Sequence, residues 1–115
     1  MEKKKKDIIN RVYRAVKQIP KGKVSTYKVI ADSVSVGKVN PRYVGYLLHN
    51  NPDRELIPCH RVVNRKGMVS QKYAFGGWRK QKEKLIYEGV LFVGKKRVDL
   101  KRHLLTKPSK KIKAS

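Results

Sequence analysis

Acidic residues are scarce in this chain: 8 Asp and Glu stand against 30 Lys and Arg, leaving a formal net charge of +22 over 115 residues. Solubility needs far less, so the natural partner is a polyanion. Long apolar runs are missing as well. No stretch approaches the about 20 apolar residues of a membrane-spanning helix, and no apolar signal segment follows the basic start. A soluble, intracellular protein without a membrane partner is therefore expected. Cysteine occurs once, at Cys59, which excludes an internal disulfide and suits a reducing compartment. His49, His60 and His103 do not stand at metal-ligand spacing with Cys59, so no metal is expected. The single tryptophan, Trp78, reads as a core anchor.

This length gives one domain. Residues 1–6 and 107–115 are basic and poor in core residues, so they are expected as flexible arms around a domain spanning 7–106. Each arm reads equally well as a phosphate-attracting extension or as solubilising charge.

Apolar residues from Ile8 to Ile19 recur at helical spacing, with Asp7 as cap and Pro20 as stop. A second helix is expected over Tyr27 to Ser33, capped by Ser25 or Thr26. After a looser segment holding Gly37, Asn40 and Pro41 open a third helix to His49. Two short helices around a Gly-containing turn, in so basic a chain, read as a helix-turn-helix. The Cys59 stretch reads as a short extended segment, and Asn64 to Gly67 as a turn. Met68 to Tyr73, strand or loop, completes a hairpin that is a candidate wing. A helix from about Trp78 to Glu88 stops at Gly89, and a small hairpin and a short helix over Leu100 to Leu105 close the chain. The fold class expected is mainly α: a winged helix-turn-helix DNA-binding domain with small β hairpin or wing elements.

Chemistry concentrates in Pro58-Cys59-His60-Arg61-Val62-Val63. A thiol attacks as thiolate, and a neighbouring imidazole and guanidinium lower the cost of that charge. The string resembles the acceptor motif of the O6-alkylguanine-DNA alkyltransferases, and the resemblance runs from about Asp7 to Leu105 as that family's DNA-binding, acceptor-cysteine domain. It implies a DNA repair protein that moves an alkyl group from O6-alkylguanine in DNA to Cys59, once per molecule and irreversibly, after flipping the base. It implies a methylated-DNA–protein-cysteine methyltransferase that needs no cofactor. His60, oriented by Glu88, would take the Cys59 proton through a water. Asn51 would tie the helix-turn-helix to the reactive segment, and Tyr27 would hydrogen-bond the flipped guanine and crowd a phosphate.

The same resemblance makes Arg42 the residue that enters the base stack, with Ser25, Thr26, Tyr27, Tyr43 and Arg61 as further DNA contacts. Val62, Tyr73, Ala74 and Phe75 would wall the pocket. The implied partner is double-stranded DNA containing O6-alkylguanine, bound by a monomer in the cytoplasm, at the nucleoid, or in the nucleus of a eukaryote. Two departures stand out. Where the family has Tyr-Ser-Gly-Gly, this chain has Tyr73-Ala74-Phe75-Gly76-Gly77, and Pro41 and Tyr43 flank Arg42 where small residues are usual. One alternative is a non-enzymatic alkyltransferase-like protein that recognises and flips the lesion; in such relatives the acceptor cysteine is replaced, often by tryptophan. The other is a general winged-helix binder with an inert cysteine.

Overall fold

The computed structural model describes residues 2–34 and 39–105. Met1, the 35–38 stretch with Gly37 and the basic tail expected over 107–115 lie outside the described residues.

Helix α1 spans Glu2–Lys17. Val12 and Val16, one turn apart, are fully buried, as is Ile19 just beyond the helix. The helix begins ahead of the expected start because residues 2–6 continue it instead of leaving it as an irregular arm. Asp7 is consequently no cap. It lies inside the helix and accepts from Arg11 Nε at 3.0 Å, an i,i+4 pair on an exposed face.

Strand β1 (Ser25–Thr26) runs directly into α2 (Tyr27–Ser33), and α3 covers Pro41–His49. Of the two candidate caps Thr26 is the one used: its hydroxyl accepts the Val29 amide at 3.1 Å. Asn40 caps α3 by accepting the Tyr43 amide at 2.8 Å, with Pro41 in the first turn where no amide donor is needed. Ile30 and Ala31 of α2 meet Val44, Leu47 and Leu48 of α3 in one core, and α1 packs on both. The Tyr13 hydroxyl donates to the Leu47 carbonyl at 2.8 Å, locking α1 to the end of α3. The result is a helix-turn-helix fold held on a third helix.

Cys59–Arg61 form a single turn of 3-10 helix, not the extended segment expected, because Pro58 precedes them and the Arg61 amide returns to the Pro58 carbonyl at 2.9 Å. Extended backbone starts only at β2 (Val62–Val63), which pairs in parallel with β1. Successive side chains of a strand face opposite ways. Val62 thus enters the helical core and Val63 a second core, under Leu85, Val90 and Val98.

The Asn64 to Gly67 turn forms, but the segment after it does not return along β2 as a self-contained hairpin. Val69 N donates to Lys96 O at 2.9 Å, and Met68 bridges Arg97 antiparallel, so the terminal hairpin supplies the partner. Helix α4 (Gly77–Tyr87) packs on this second core, and α5 (Leu100–His103) closes it. Gly67 has φ +85°, and a Cβ there would stand 3.0 Å from the Val98 carbonyl oxygen. Gly67→Ala is therefore expected to cost about 2 kcal/mol from left-handed strain plus the clash. A thermal melt checks it: the midpoint should fall by about 5 °C or more.

Candidate active site

An open cleft of about 540 Å³ lies against α3, lined by Arg42 and Gly45 from that helix, Tyr27 from the start of α2, Cys59, and Tyr73 and Ala74 from the loop before α4. Cys59 is only 5 % exposed, yet it forms part of this lining. Its turn is positioned from two sides. The Asn51 side chain, buried just after α3, donates to Ile57 O at 2.8 Å and accepts the Asp53 amide at 2.8 Å. From the other side, buried Gln81 of α4 donates to the carbonyls of His60 and Val62, both at 3.1 Å, and accepts the Ser70 amide at 2.8 Å.

His60 points away from the cleft into a charged network. Its Nε2 lies 2.9 Å from Glu88 Oε2. Arg61 grips both oxygens of the same carboxylate, with Nε to Oε1 at 2.9 Å and Nη2 to Oε2 at 2.7 Å, while Nη1 donates to Ile19 O at 2.7 Å. Glu88 sits at the C-cap of α4, immediately before Gly89, whose φ of +88° ends the helix. With a proton on Nε2 donated to Glu88, the imidazole keeps Nδ1 as its acceptor.

Burial pushes the Cys59 thiol above its ordinary value of 9.0, even though Asn51, the local backbone and the fields of Lys84 and Arg54 pull it back. The thiolate eased by its neighbours that the sequence suggests is thus not the resting state: at neutral pH the group is a thiol, because desolvation of the charged form outweighs the nearby cations. Burial likewise lowers His60 below 6.5 despite Glu88, so the imidazole is neutral and able to accept a proton. Glu88 is held below 4.5 by Arg61 and His60, which overcome its own burial. Burial and the facing Cys59 raise Tyr27, keeping its phenol a donor.

The match to known proteins decides the ancestry of this arrangement. A family model for the 6-O-methylguanine DNA methyltransferase, DNA binding domain, covers residues 7–90. The chain belongs to this family. A Saccharolobus islandicus methylated-DNA–protein-cysteine methyltransferase is 49% identical over 57 residues, 50% of this chain and 36% of the relative. The chain therefore spans little more than a third of the length of those methyltransferases. Alkyltransferase-like protein 1 of Schizosaccharomyces pombe is 40% identical over 85 residues, 73% of this chain and 77% of the relative. A DNA base-flipping protein of Escherichia coli is 36% identical over 93 residues, 81% of this chain and 70% of the relative. Among solved structures, S. pombe Atl1 in complex with damaged DNA containing O6-carboxymethylguanine superposes with a TM-score of 0.74 at 32% identity, covering 87% of this chain and 95% of that one.

Within the family's frame, four expected contacts take other positions. Ser25 is fully buried in β1 and its hydroxyl finds no partner among the described residues, so it presents nothing to a surface ligand. Arg61 is engaged by Glu88 and Ile19, which removes it from the exposed cations. Val62 is fully buried behind the cysteine turn and does not line the cleft. Phe75 does not line it either; it braces Tyr73 edge-on at 5.7 Å and carries the Arg54 guanidinium over its ring at 5.2 Å. Thr26 is mostly buried as the α2 cap. Tyr43 is half-buried and stacks on Tyr46 at 6.2 Å. Among the described residues no cluster of His, Cys, Asp and Glu could hold a metal, and no helix is long and apolar enough to cross a membrane.

Several cleft residues escape the sequence reading, Tyr46 and Gln81 among them. Tyr46, 62% exposed on α3, looks like an ordinary surface aromatic in sequence. Gln81 disappears among the lysines of α4, although Trp78, Gln81 and Leu85 share one helical face, a spacing that marks it as inward.

Proposed function

We propose that the chain is a DNA repair protein that transfers an alkyl group from O6-alkylguanine in duplex DNA to Cys59. The observation that carries this reading is the Cys59 thiol in the lining of an open cleft with room for a purine. Helix α3 docks on the duplex and Arg42, exposed at the cleft edge, fills the gap left by the extruded nucleotide. Tyr27 donates to the flipped guanine, and Tyr73 and Ala74 flank it. As sulfur approaches the alkyl carbon, its proton leaves toward His60, whose imidazolium is stabilised by Glu88. The sulfur–carbon bond forms, the carbon–O6 bond breaks with its electron pair going to oxygen, and the restored guanine takes up on a ring nitrogen one proton, balancing the one that the Cys59 thiol gives up to His60. No Cys59–His60 hydrogen bond is formed among the described residues, which favours relay of the proton through a water.

The thioether has no route back, so the stoichiometry is one alkyl group per molecule. Counting labelled methyl groups moved from a duplex bearing O6-methylguanine tests the proposal. A plateau at one per protein is expected; duplex bound with no label moved would favour the second reading, a lesion-recognition protein. The likeness to alkyltransferase-like protein 1 over most of both chains supports that alternative. The presence of Cys59 supports transfer.

Arg42→Ala is expected to slow transfer from duplex by about tenfold, since flipping costs a few kcal/mol and the guanidinium offsets part of it. Transfer from the same lesion in a single strand, where no pair is broken, should change much less. Single-turnover rates on the two substrates check this, and equal slowing would remove Arg42 from the flipping step.

A further inference from the structure

We infer that a groove separate from the cleft is a binding site for unpaired nucleic acid. The groove encloses about 690 Å³ and shares no lining residue with the cleft, although the adjacent residues Cys59 and His60 line one each. Lys17 and Lys21 line one part of it, Arg54 and Lys84 others, and His60 its inner wall. Among the described residues none of those four cations forms an ion pair. Of the two carboxylates in the lining, Glu88 is already committed to Arg61 and His60, which leaves Glu55 alone against four positive charges. Like charges gathered in a concavity repel one another, and a bound polyanion relieves that repulsion.

The second observation selects the kind of polyanion. Tyr87 lines the same groove at the end of α4 and is 89% exposed, an aromatic face left open among the described residues. Cations that track a backbone beside an open aromatic ring are what single-stranded nucleic acid requires, because unpaired bases stack on the ring while phosphates meet the cations. A duplex has its base faces already stacked, and an acidic peptide has no use for the ring. The inference does not depend on alkyl transfer. It gives one molecule two nucleic-acid surfaces, the cleft for the lesion and the groove for a strand that is unpaired.

Fluorescence anisotropy with a labelled, non-complementary, undamaged single strand tests it, using the full chain pre-saturated with unlabelled duplex. The strand should still bind. Tyr87→Ala should weaken it by about fivefold or more, the loss of one stacked base, whereas Tyr87→Phe should bind like the parent. Duplex affinity should be the same in all three. Complete displacement of the strand by duplex, equal binding by Tyr87→Ala and the parent, or equally tight binding of a polyglutamate peptide would each overturn the inference. Failure of the repair proposal would appear elsewhere, as duplex binding without methyl transfer.

Discussion

Cys59→Ala is expected to abolish methyl transfer from O6-methylguanine duplex while leaving affinity for that duplex little changed. The chain has no second thiol. Tyr46, His49, Ser70 and Lys72 also line the cleft, but the phenols set against the flipped base are those of Tyr27 and Tyr73, both raised above 10.0 chiefly by burial and so un-ionised. Neither attacks an alkyl carbon usefully in that form. In the proposed mode of binding, affinity rests on different atoms, the cations and the α3 surface, and removing a sulfur from the cleft lining leaves those in place. The backbone turn also survives, because Asn51 and Gln81 hold it by the carbonyls of Ile57 and His60, contacts that the substitution leaves in place. Residual transfer by the alanine variant would show that another group is the acceptor.

Glu88→Ala carries the second large effect, this time on stability as well as rate. The Arg61 side chain is 12% exposed and the Glu88 side chain 9%. Deleting the carboxylate strands a nearly buried guanidinium and releases the imidazole together, which is expected to cost about 3–5 kcal/mol. Glu88→Gln, which keeps shape and one hydrogen-bond acceptor, should cost less stability yet slow transfer, because a neutral amide stabilises imidazolium poorly. Urea unfolding and single-turnover rates on the two variants separate the roles.

Acid should act through the same network. His60 is held below 6.5 in the folded chain, so as pH falls past that value the unfolded chain takes up the proton first and stability declines. Glu88 is held below 4.5, and its contribution is present above that value and lost as pH drops through the lower folded-state value. Both act in one direction. Unfolding midpoints should fall progressively below pH 6.5, and Glu88→Ala should flatten the lower part of the curve.

The helices were the most legible part of the chain, since caps and stops are local chemistry: Asn40, Pro41, Thr26 and Gly89 act where their side chains or missing side chain dictate. The start of α1 was misread because a lysine run suggests repulsion and solvation, whereas lysine is also a good helix former and the apolar stripe further along anchors the whole element. Pairing between distant segments has no local signature. Val69 joining Lys96, and β1 running parallel to β2, depend on the packed cores and could not be read from the turn residues. The candidate site shows the same divide. The motif named Cys59 and His60, and the family resemblance paired His60 with Glu88, as the folded chain does; but only the folded chain draws Arg61 off the surface and buries Ser25. Burial also reverses the simple expectation for the thiol, since neighbouring cations are visible in sequence and desolvation is not.

The most direct measurement is the mass of the tryptic peptide spanning residues 55–61 after the protein has met duplex containing O6-methylguanine. The account predicts that this peptide gains a single methyl group, borne on sulfur, until every molecule is converted. An unmodified peptide recovered from protein that was demonstrably bound to the lesion would contradict it.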